Sequence, residues 1–492
     1  MVDIKKETVK SVKWSAIGQY SNTLISFVVG IVLARLLDPL DFGILGMVAI
    51  FFSIAIIITD CGFGQALIRK KNATEADFCT TFYYNLGVSS FFYIVLFFTS
   101  PYIANFLYTP ELKDLVRISA LTLPIGALGT IQFLILKKNL DFRKPAKITV
   151  VSNILSGIVG VVMAYKGEGV WSLVGMSVSK CVFDVIFVWL VSTWRPQLIF
   201  SVQSFKESFS FGSKVLLTTI LSRTFTDIQN LLIAKFYTPR SLGFYTKGHS
   251  TAQLPVNIFF GVLSSVTFPI MSKIQDDDER LIHVYRRYIR MSSLLIFFFM
   301  SLLAALAHPI MIFLYSAKWE PAVIFLQLFC FCSMFGPIGT INISLMLVKG
   351  RSDLNLKCEI IRKIIWLIAL LVALPISVTA LCISSIVAAQ GSLIVNTYYT
   401  GKYFNVGYFE QWKDFGGYLL LSIFSCVPAF LIATNLQNPL ISIPLGALSS
   451  MFFYFGILLY RKDENLIDVI SLLLNNALFD KIRFYVRNRG FV

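Results

Sequence analysis

Charged side chains are scarce in this chain. Asp, Glu, Lys and Arg make up 14% of its 492 residues, whereas hydrophobic residues make up 56%. Soluble globular domains carry about 25% charged residues, and the mean hydropathy of +0.73 is far above their range. No connecting loop is long enough to hold a soluble catalytic or nucleotide-binding domain. The composition therefore argues against a soluble enzyme and indicates a membrane protein.

Sequence motifs of several other protein classes are missing as well. No Gly-x-x-x-x-Gly-Lys-Ser/Thr stretch occurs, which argues against an ATPase subunit. The 3 histidines and 8 cysteines lack metal-ligand spacing, and the cysteines lie in or beside apolar runs, as small buried hydrophobic residues do. No folded basic domain accompanies the net charge of +16. We therefore predict no enzymatic activity, no cofactor, no metal site and no nucleic-acid partner.

What the chain does contain is a succession of apolar runs. Each is about 20 residues long, the length that an α-helix needs to cross a bilayer. We predict an all-α polytopic membrane protein with 14 transmembrane helices, or 12 if the later runs are divided differently. The predicted spans are 14–37, 43–59, 82–107, 115–136, 146–166, 169–193, 213–236, 249–272, 288–313, 322–348, 358–378, 379–400, 415–434 and 438–460.

The positions of the cations predict the orientation of these spans. Of the 43 Lys and Arg residues, 33 lie in segments on the side of the N-terminus and 8 on the opposite side. Because cytoplasmic loops carry the excess of Lys and Arg, both termini are predicted to be cytoplasmic. The same cations would attract anionic membrane lipids. A polar, Lys-rich N-terminus followed by a full-length span predicts an uncleaved anchor.

A repeated motif indicates that the chain is internally duplicated. The segment from Ala34 to Gly43 recurs 200 positions later from Ala234 to Gly243, with a cation after each Ala and with Pro and Gly five and nine residues after it. A second echo relates Phe106-Leu107-Tyr108 to Phe313-Leu314-Tyr315. Six predicted spans separate the copies of the motif, so the halves should be parallel repeats of a transporter that rocks around a midplane site.

The duplication predicts a division of the chain into five parts. Two six-helix lobes are joined by a cytoplasmic linker and followed by an appended helix pair and a tail. Residues 464–486 of the tail have apolar positions at helical spacing and should form an amphipathic helix on the inner membrane face, or else a partner-docking helix. The predicted parts are 1–193, 194–212, 213–400, 401–460 and 461–492.

Several of these motifs resemble a known family. The stretches Leu33–Gly43, Asp60–Arg69 and Phe313–Trp319 are similar to those of bacterial polysaccharide flippases in the multidrug/oligosaccharidyl-lipid/polysaccharide superfamily, especially the colanic-acid and teichuronic-acid exporter branch. The resemblance implies export of a polyprenyl-diphosphate-linked oligosaccharide from the inner to the outer leaflet of the bacterial cytoplasmic membrane. Related lipid flippases use cations in a central cavity to hold the diphosphate, but the resemblance assigns those cations to no position here.

Two cations fall near the middle of predicted spans. Lys180 and Arg223 each precede an acid by four residues, Asp184 and Asp227, so each pair shares one helix face. Charges at midbilayer cost about 2.5–3.5 kcal/mol on insertion scales and usually face a cavity or a partner. One interpretation is that both cations face the cleft between the halves and hold the anionic head group. The alternative is that each pair neutralises itself and only stabilises helix packing.

Other polar residues in the spans are further candidates. Gln19 and Asn22 lie in the first span at the depth that matches Arg223 in the second half, and Asn230 could meet sugar hydroxyls or hydrogen-bond between helices. Asp60, at the inner end of the second span, is a gate or cation-coupling candidate or an interfacial helix-end charge. His308, in the ninth span, is a pH-sensitive coupling candidate or a packed imidazole.

The predicted function is thus flipping of a lipid-linked glycan by alternating access. Its predicted partners are the polyprenyl-diphosphate-linked substrate, anionic lipids and other polysaccharide-assembly proteins. An ion-coupled multidrug exporter of the same superfamily is the first alternative and should show a mainly acidic cavity. A membrane-embedded glycosyltransferase or polymerase is the second, and it should show a large outer loop with catalytic carboxylates. The outer loops here are short.

Overall fold

The computed structural model describes residues 2–60, 62–70, 72–139, 141–436 and 438–473, which are helical apart from short turns and contain no strand. For some helical positions it describes the backbone alone. These positions are 2–13, 15, 16, 50, 211, 214, 215, 217, 218, 220–227, 258, 260–266 and 470–473. The chain divides into two compact units, one up to Thr246 and one from Lys247 onward.

The first unit contains nine helices and the start of a tenth within the described residues. They are α1 (Val2–Leu36), α2 (Pro39–Asp60), α3 (Phe63–Arg69), α4 (Glu75–Phe106), α5 (Leu112–Ala120), α6 (Thr122–Lys138), α7 (Arg143–Tyr165), α8 (Val170–Val191), α9 (Val202–Phe236) and α10 (Pro239–Lys273).

The second unit holds the rest of α10 and the helices that follow it. They are α11 (Asp278–Ala305), α12 (Ala307–Tyr315), a 3₁₀-helix (Ala317–Ala322), α13 (Val323–Ser333), α14 (Gly336–Val348), α15 (Ser352–Ala373), α16 (Val378–Phe404), α17 (Tyr408–Asn435), α18 (Pro439–Tyr460) and α19 (Glu464–Leu473).

The predicted all-α polytopic architecture is confirmed. Among the described residues, 11 helical stretches are long and apolar enough to cross a bilayer. Each predicted span lies on one helix or on consecutive helices, although α9, α10 and α11 begin about ten residues before the predicted start. The predicted spans on α9, α10 and α15 are not among these 11 stretches. The total of 14 spans, and the division into lobes 1–193 and 213–400, remain predictions.

Prolines explain why some predicted spans are two helices rather than one. A proline ring clashes with the carbonyl four residues before it and removes one hydrogen bond. In the described chain, three helices inside predicted spans end at that position. The pairs of last helical residue and proline are Ala120 with Pro124, Ala305 with Pro309, and Ser333 with Pro337. Other prolines, including Pro101 and Pro428, lie inside helices that continue through them.

Helix α7 is central to the packing of the first unit, because it packs along both α1 and α8. Leu33 and Leu37 of α1 join Ala164 and Leu173 in one buried apolar cluster at the end of these helices. Helix α6 packs against α4 and α8, and α9 packs against α2. The irregular connection before α9 covers residues 192–201, so much of the predicted linker 194–212 is already helical.

In the second unit, α11 packs along α17, and a buried polar network fixes the two helices together. Gln411 of α17 donates to the Tyr285 hydroxyl at 2.8 Å, and Asn342 of α14 donates to Gln411 at 3.1 Å. All three side chains are essentially inaccessible to solvent. Satisfied buried polar groups specify one packing arrangement. Helix α17, the first of the pair predicted as an appendage, thus packs closely on α11, and the division into a lobe and an appended pair remains a prediction.

Helix α19 is the described part of the tail. It begins after Asp463, whose carboxylate caps it by accepting the Leu466 backbone N–H at 3.0 Å. Leu466 and Val469 are buried, and Arg287 of α11 forms an ion pair with Asp468. The first turns of the predicted amphipathic helix thus pack on the second unit. The remainder of that prediction lies outside the described residues.

Candidate functional site

A polar cavity of about 750 Å³ lies inside the first unit, among α1, α2, α3, α6, α7 and α8. It contains four of the residues predicted from the sequence: Gln19, Asn22, Asp60 and Asp184. The rest of its lining mixes polar and apolar side chains. Those residues are Gly18, Gly64, Gln65, Ile68, Thr130, Phe133, Leu134, Lys137, Phe142, Pro145, Ala146 and Thr149.

A glycine turn brings Asp60 and α3 to the same cavity. Gly62 has φ 68° and ψ 8°, a left-handed conformation that glycine adopts without steric cost. The chain leaves α2 at Asp60 and enters α3 at Phe63, and Asp60 Oδ1 would lie 3.3 Å from a methyl group added at Gly64. Gln65, on the next turn, therefore lines the cavity beside Asp60.

Hydrogen bonds between α1 and α7 set the position of Asn22. Its Nδ2 donates to Thr149 Oγ1 at 2.8 Å. One turn further along, Asn153 Nδ2 donates to Ser26 Oγ at 2.8 Å and to the Asn22 carbonyl at 3.2 Å. These contacts hold both helices at close range. The side-chain oxygen Oδ1 of Asn22 is buried and accepts no hydrogen bond within the described residues.

Lys180 and Asp184 form the ion pair that their spacing predicts. Lys180 Nζ lies 2.7 Å from Asp184 Oδ2, with 40% and 18% of the two side chains exposed. Asp184 lines the cavity, and its second oxygen, Oδ1, is buried without a hydrogen-bond partner in the described structure. Asn22 and Asp184 thus each place one unused acceptor oxygen beneath the cavity surface, where no hydrogen bond of the described residues satisfies it.

The other predicted site residues are not among the described residues that line this cavity. The side chains of Arg223 and Asp227 lie outside the described residues, although their backbone belongs to α9. Asn230, on the same helix, is half-buried. His308 lies in the second unit at the start of α12, largely exposed, with Nε2 3.6 Å from Glu320 Oε1. Its role as a coupling group remains a prediction.

The cavity also contains a cation that the sequence did not single out. Lys137, in the last turn of α6, lines it together with Thr130 and Thr149. In the sequence, Lys137 counted only as one of the cytoplasmic cations that set orientation. Its position directly after an apolar span was the available signal, because a long Lys side chain at a helix end can extend along the apolar surface while its charged end stays in a polar environment.

The fold and this cavity define a class of protein. A bundle of apolar helices with a polar cavity among its membrane-spanning segments is the architecture of a multi-pass membrane carrier. The chain belongs to the polysaccharide biosynthesis protein family, whose model matches residues 32–324. The resemblance seen in the sequence motifs is thereby confirmed.

Two curated relatives illustrate this family. The chain is 27% identical over 356 residues to the teichuronic acid biosynthesis protein TuaB of Bacillus subtilis (strain 168), which covers 72% of this chain and 74% of that protein. It is 23% identical over 374 residues to the lipopolysaccharide biosynthesis protein WzxC of Escherichia coli (strain K12), covering 75% of this chain and 76% of that protein.

Solved structures show which fold the chain shares. The lipid II flippase MurJ in an inward closed conformation matches with a TM-score of 0.74 and 16% identity, over 92% of this chain and 99% of that one. An inward-facing multidrug resistance MATE family transporter of the MOP superfamily matches with a TM-score of 0.58 and 15% identity, over 80% and 98% of the two chains. The chain therefore has the fold of this superfamily.

Proposed function

We propose that this protein flips a polyprenyl-diphosphate-linked oligosaccharide, a repeat unit of a cell-surface polysaccharide, from the inner to the outer leaflet of the bacterial cytoplasmic membrane. The observation that carries the proposal is the polysaccharide-biosynthesis family match over residues 32–324. The fold supports it, because it is shared with a lipid II flippase over 92% of this chain. No covalent step is involved, so the protein acts as a transporter rather than an enzyme.

The polar cavity supports the same function on physical grounds. A glycan and a diphosphate cross a bilayer slowly because each polar group loses its water without replacement. Gln19, Asn22 and Thr149 offer amide and hydroxyl groups that can replace water at sugar hydroxyls. Lys137 offers a positive charge to an anionic head group. We propose that these four residues meet the head group in the inward-open state, with Arg223 as a further anchor.

The repeated motif supports movement by alternating access, in which two repeats rock around a central site. The head group enters from the cytosol while the lipid tail stays in the bilayer, and the two repeats then rock to release the glycan outside. The termini are proposed to be cytoplasmic because 33 of the 43 Lys and Arg residues lie on their side. A membrane-impermeant thiol reagent applied to whole cells should label Asp38→Cys, on the predicted outer turn, and leave Glu464→Cys unlabelled. The reverse pattern would invert the orientation.

The multidrug exporter remains a second candidate, because a MATE family transporter shares the fold with a TM-score of 0.58. Two carboxylates, Asp60 and Asp184, line the cavity, as a cation-coupled exporter would require. Asp184, however, is matched by Lys180. Drug resistance of cells that overproduce the protein separates the two candidates, since a glycan flippase should leave the inhibitory concentrations of cationic drugs unchanged.

Two experiments test the proposed function directly. In cells, deletion of the gene should accumulate lipid-linked oligosaccharide on the cytosolic leaflet. In vesicles, the purified protein should make a fluorescent polyprenyl-diphosphate oligosaccharide in the inner leaflet accessible to an impermeant quencher. Protein-free vesicles and vesicles with a fluorescent phosphatidylcholine are the controls. Equal quenching with and without the protein, together with no accumulation in cells, would contradict the proposal.

A further inference from the structure

The two copies of the repeated motif lie against each other. A methyl group added at Gly43 would lie 1.7 Å from the carbonyl oxygen of Pro239, and one added at Gly243 would lie 2.0 Å from the carbonyl oxygen of Pro39. Distances this short are impossible for a side chain, so glycine is required at both positions. The first turns of α2 and α10 therefore cross with their backbones in direct contact, and each glycine packs on the proline of the other copy.

An ion pair joins the same two turns. Arg240 Nη2 lies 3.1 Å from Asp38 Oδ2, and both side chains are about half exposed. Asp38 also caps α2 by accepting the Leu40 backbone N–H at 2.9 Å. Thr238 occupies the equivalent position in the second copy and caps α10 through the Ser241 backbone N–H at 3.2 Å. The contact is thus symmetric in its backbone and has this charge pair on one side.

A third contact lies beside this crossing and involves the other repeated segment. Lys235 Nζ lies 4.1 Å from the ring centroids of both Phe106 and Tyr108, and it donates to the Phe106 carbonyl at 2.5 Å. Tyr108 has φ 53°, a left-handed conformation that a tyrosine rarely adopts. In this conformation the rings of Tyr108 and Phe106 both lie against the Lys235 ammonium group, an arrangement that cation–π attraction favours.

We propose that the crossing of the Asp38–Gly43 and Thr238–Gly243 turns is the outer gate of the transport cycle, and that the Asp38–Arg240 and Lys235–Tyr108 contacts hold it shut. The inference rests on the proposed function, because a gate needs a transport cycle. Both turns follow the end of a span that starts on the side of the N-terminus, which the charge distribution predicts to be cytoplasmic. Separation of the repeats at the outer face must therefore part these turns.

The nature of the contacts suits a gate that opens and closes repeatedly. The glycine–proline crossing itself is a backbone contact, and the buried Leu242 side chain packs beside it on Gly46, so opening must separate this apolar contact as well. The ion pair and the aromatic contact around Lys235 are exposed at the surface, where water replaces them readily. Any side chain at Gly43 would keep the turns apart, and the gate could not close fully.

Reversible cross-linking tests the gate. The double variant Asp38→Cys with Arg240→Cys is treated in proteoliposomes with a short bifunctional methanethiosulfonate, and flipping is measured before and after reduction. We expect cross-linking to lower the flipping rate at least tenfold and reduction to restore it. The matched control is Asp141→Cys with Lys144→Cys, an exposed ion pair three residues apart and away from both turns, which should cross-link without loss of rate. The single-cysteine variants control for modification of native cysteines.

Glycine substitution provides a second test. Its readout is the cross-linking yield rather than the flipping rate. In the double-cysteine background, Gly43→Ala should lower the cross-linking yield at least fivefold by keeping the turns apart. Gly30→Ala is the matched control in α1, because a methyl group there meets no atom within 4 Å. Thermal stability of both variants shows whether each folds.

The outcomes separate the gate from the proposed function. Flipping that continues at an unchanged rate in the cross-linked double variant overturns the gate and leaves the flippase intact. An unchanged cross-linking yield in a folded Gly43→Ala variant also overturns it. If the wild-type protein flips no polyprenyl-diphosphate oligosaccharide, the proposed function fails, and with it the assignment of a gate.

Discussion

Lys180 and Asp184 form an ion pair one helical turn apart on α8, with Nζ 2.7 Å from Oδ2. The second carboxylate oxygen has no partner in the described structure. The negative charge of Asp184 is therefore balanced mainly by the Lys180 ammonium group. We expect Lys180→Met to destabilise the protein by about 1–3 kcal/mol, the cost of a buried polar group that loses its partner. The neutral double variant with Asp184→Asn should recover most of this loss, as measured by thermal unfolding in detergent. A double variant no more stable than the single one would contradict the pairing.

The same pair decides between the two interpretations that the sequence left open. If Lys180 only neutralises Asp184, the double variant should flip lipid-linked oligosaccharide at close to the wild-type rate. If Lys180 holds the diphosphate, the double variant should be stable and inactive.

Asn22 offers a prediction about the cavity. Asn22→Leu removes a cavity-lining amide and its hydrogen bond to Thr149, whereas Asn153→Leu removes two hydrogen bonds between the same two helices without changing the lining. At about 1 kcal/mol for each hydrogen bond, Asn153→Leu should lose at least as much stability as Asn22→Leu. Flipping should fall severalfold more in Asn22→Leu, measured in proteoliposomes at equal protein. Equal loss in both variants would assign Asn22 to packing alone.

Lys70 makes a pair of contacts whose pH dependence is predictable. Its Nζ lies 2.9 Å from Asp77 Oδ1 and 3.0 Å from Glu207 Oε2. These hydrogen bonds raise the pKa of Lys70, and the Lys70 ammonium lowers the pKa of the Glu207 carboxyl. A lowered carboxyl pKa gives stability that is lost as pH falls through it, and a raised amine pKa gives stability that is lost as pH rises through it.

The contribution of this pair should therefore be constant from about pH 6 to about pH 9, where both groups stay charged. We expect the difference in unfolding temperature between the wild type and Glu207→Gln to be flat across that range and to shrink below about pH 4. A difference that changes between neutral and mildly alkaline pH would show that another group titrates at this contact.

The arginines of α11 allow a comparison between neighbouring positions. Arg286 donates to both oxygens of Asp414, at 2.8 Å and 2.9 Å, and only 3% of the Asp414 side chain is exposed. We expect Arg286→Ala to cost about 1.5–3 kcal/mol, the range for hydrogen bonds to a charged group. Arg287→Ala breaks only the more exposed pair with Asp468 and should cost less than about 1 kcal/mol. Equal unfolding temperatures for the two variants would contradict this ranking.

Much of the fold was predictable from the sequence, because the pattern of apolar runs is a local signal. The same holds for the Lys180–Asp184 contact, since residues four apart on a helix share a face. The breaks at Ala120 and Ala305 were missed even though Pro124 and Pro309 are visible. Other prolines do not end their helices, and tertiary packing decides which ones do.

The cavity was only partly predictable for a physical reason. Asp60 and Asn22 were selected because polar residues in apolar spans are costly and usually functional. Nothing in a linear sequence states that Asn22 will meet Thr149, which is 127 positions away. The contact between Gly43 and Pro239 was hidden in the same way. The repeat made the two turns alike, and only the folded chain shows that they touch.

This last contact also bears on how such a chain can arise. The Gly43–Pro239 and Gly243–Pro39 contacts are isologous, because the glycine of each copy meets the proline of the other. Such reciprocity is the signature of a two-fold symmetric homodimer interface. The crossing thus has the form of a subunit interface retained within one polypeptide. Because both sides lie in one chain they need not be identical: Asp38 pairs with Arg240, whereas the equivalent positions, Thr238 and Leu40, carry no charge.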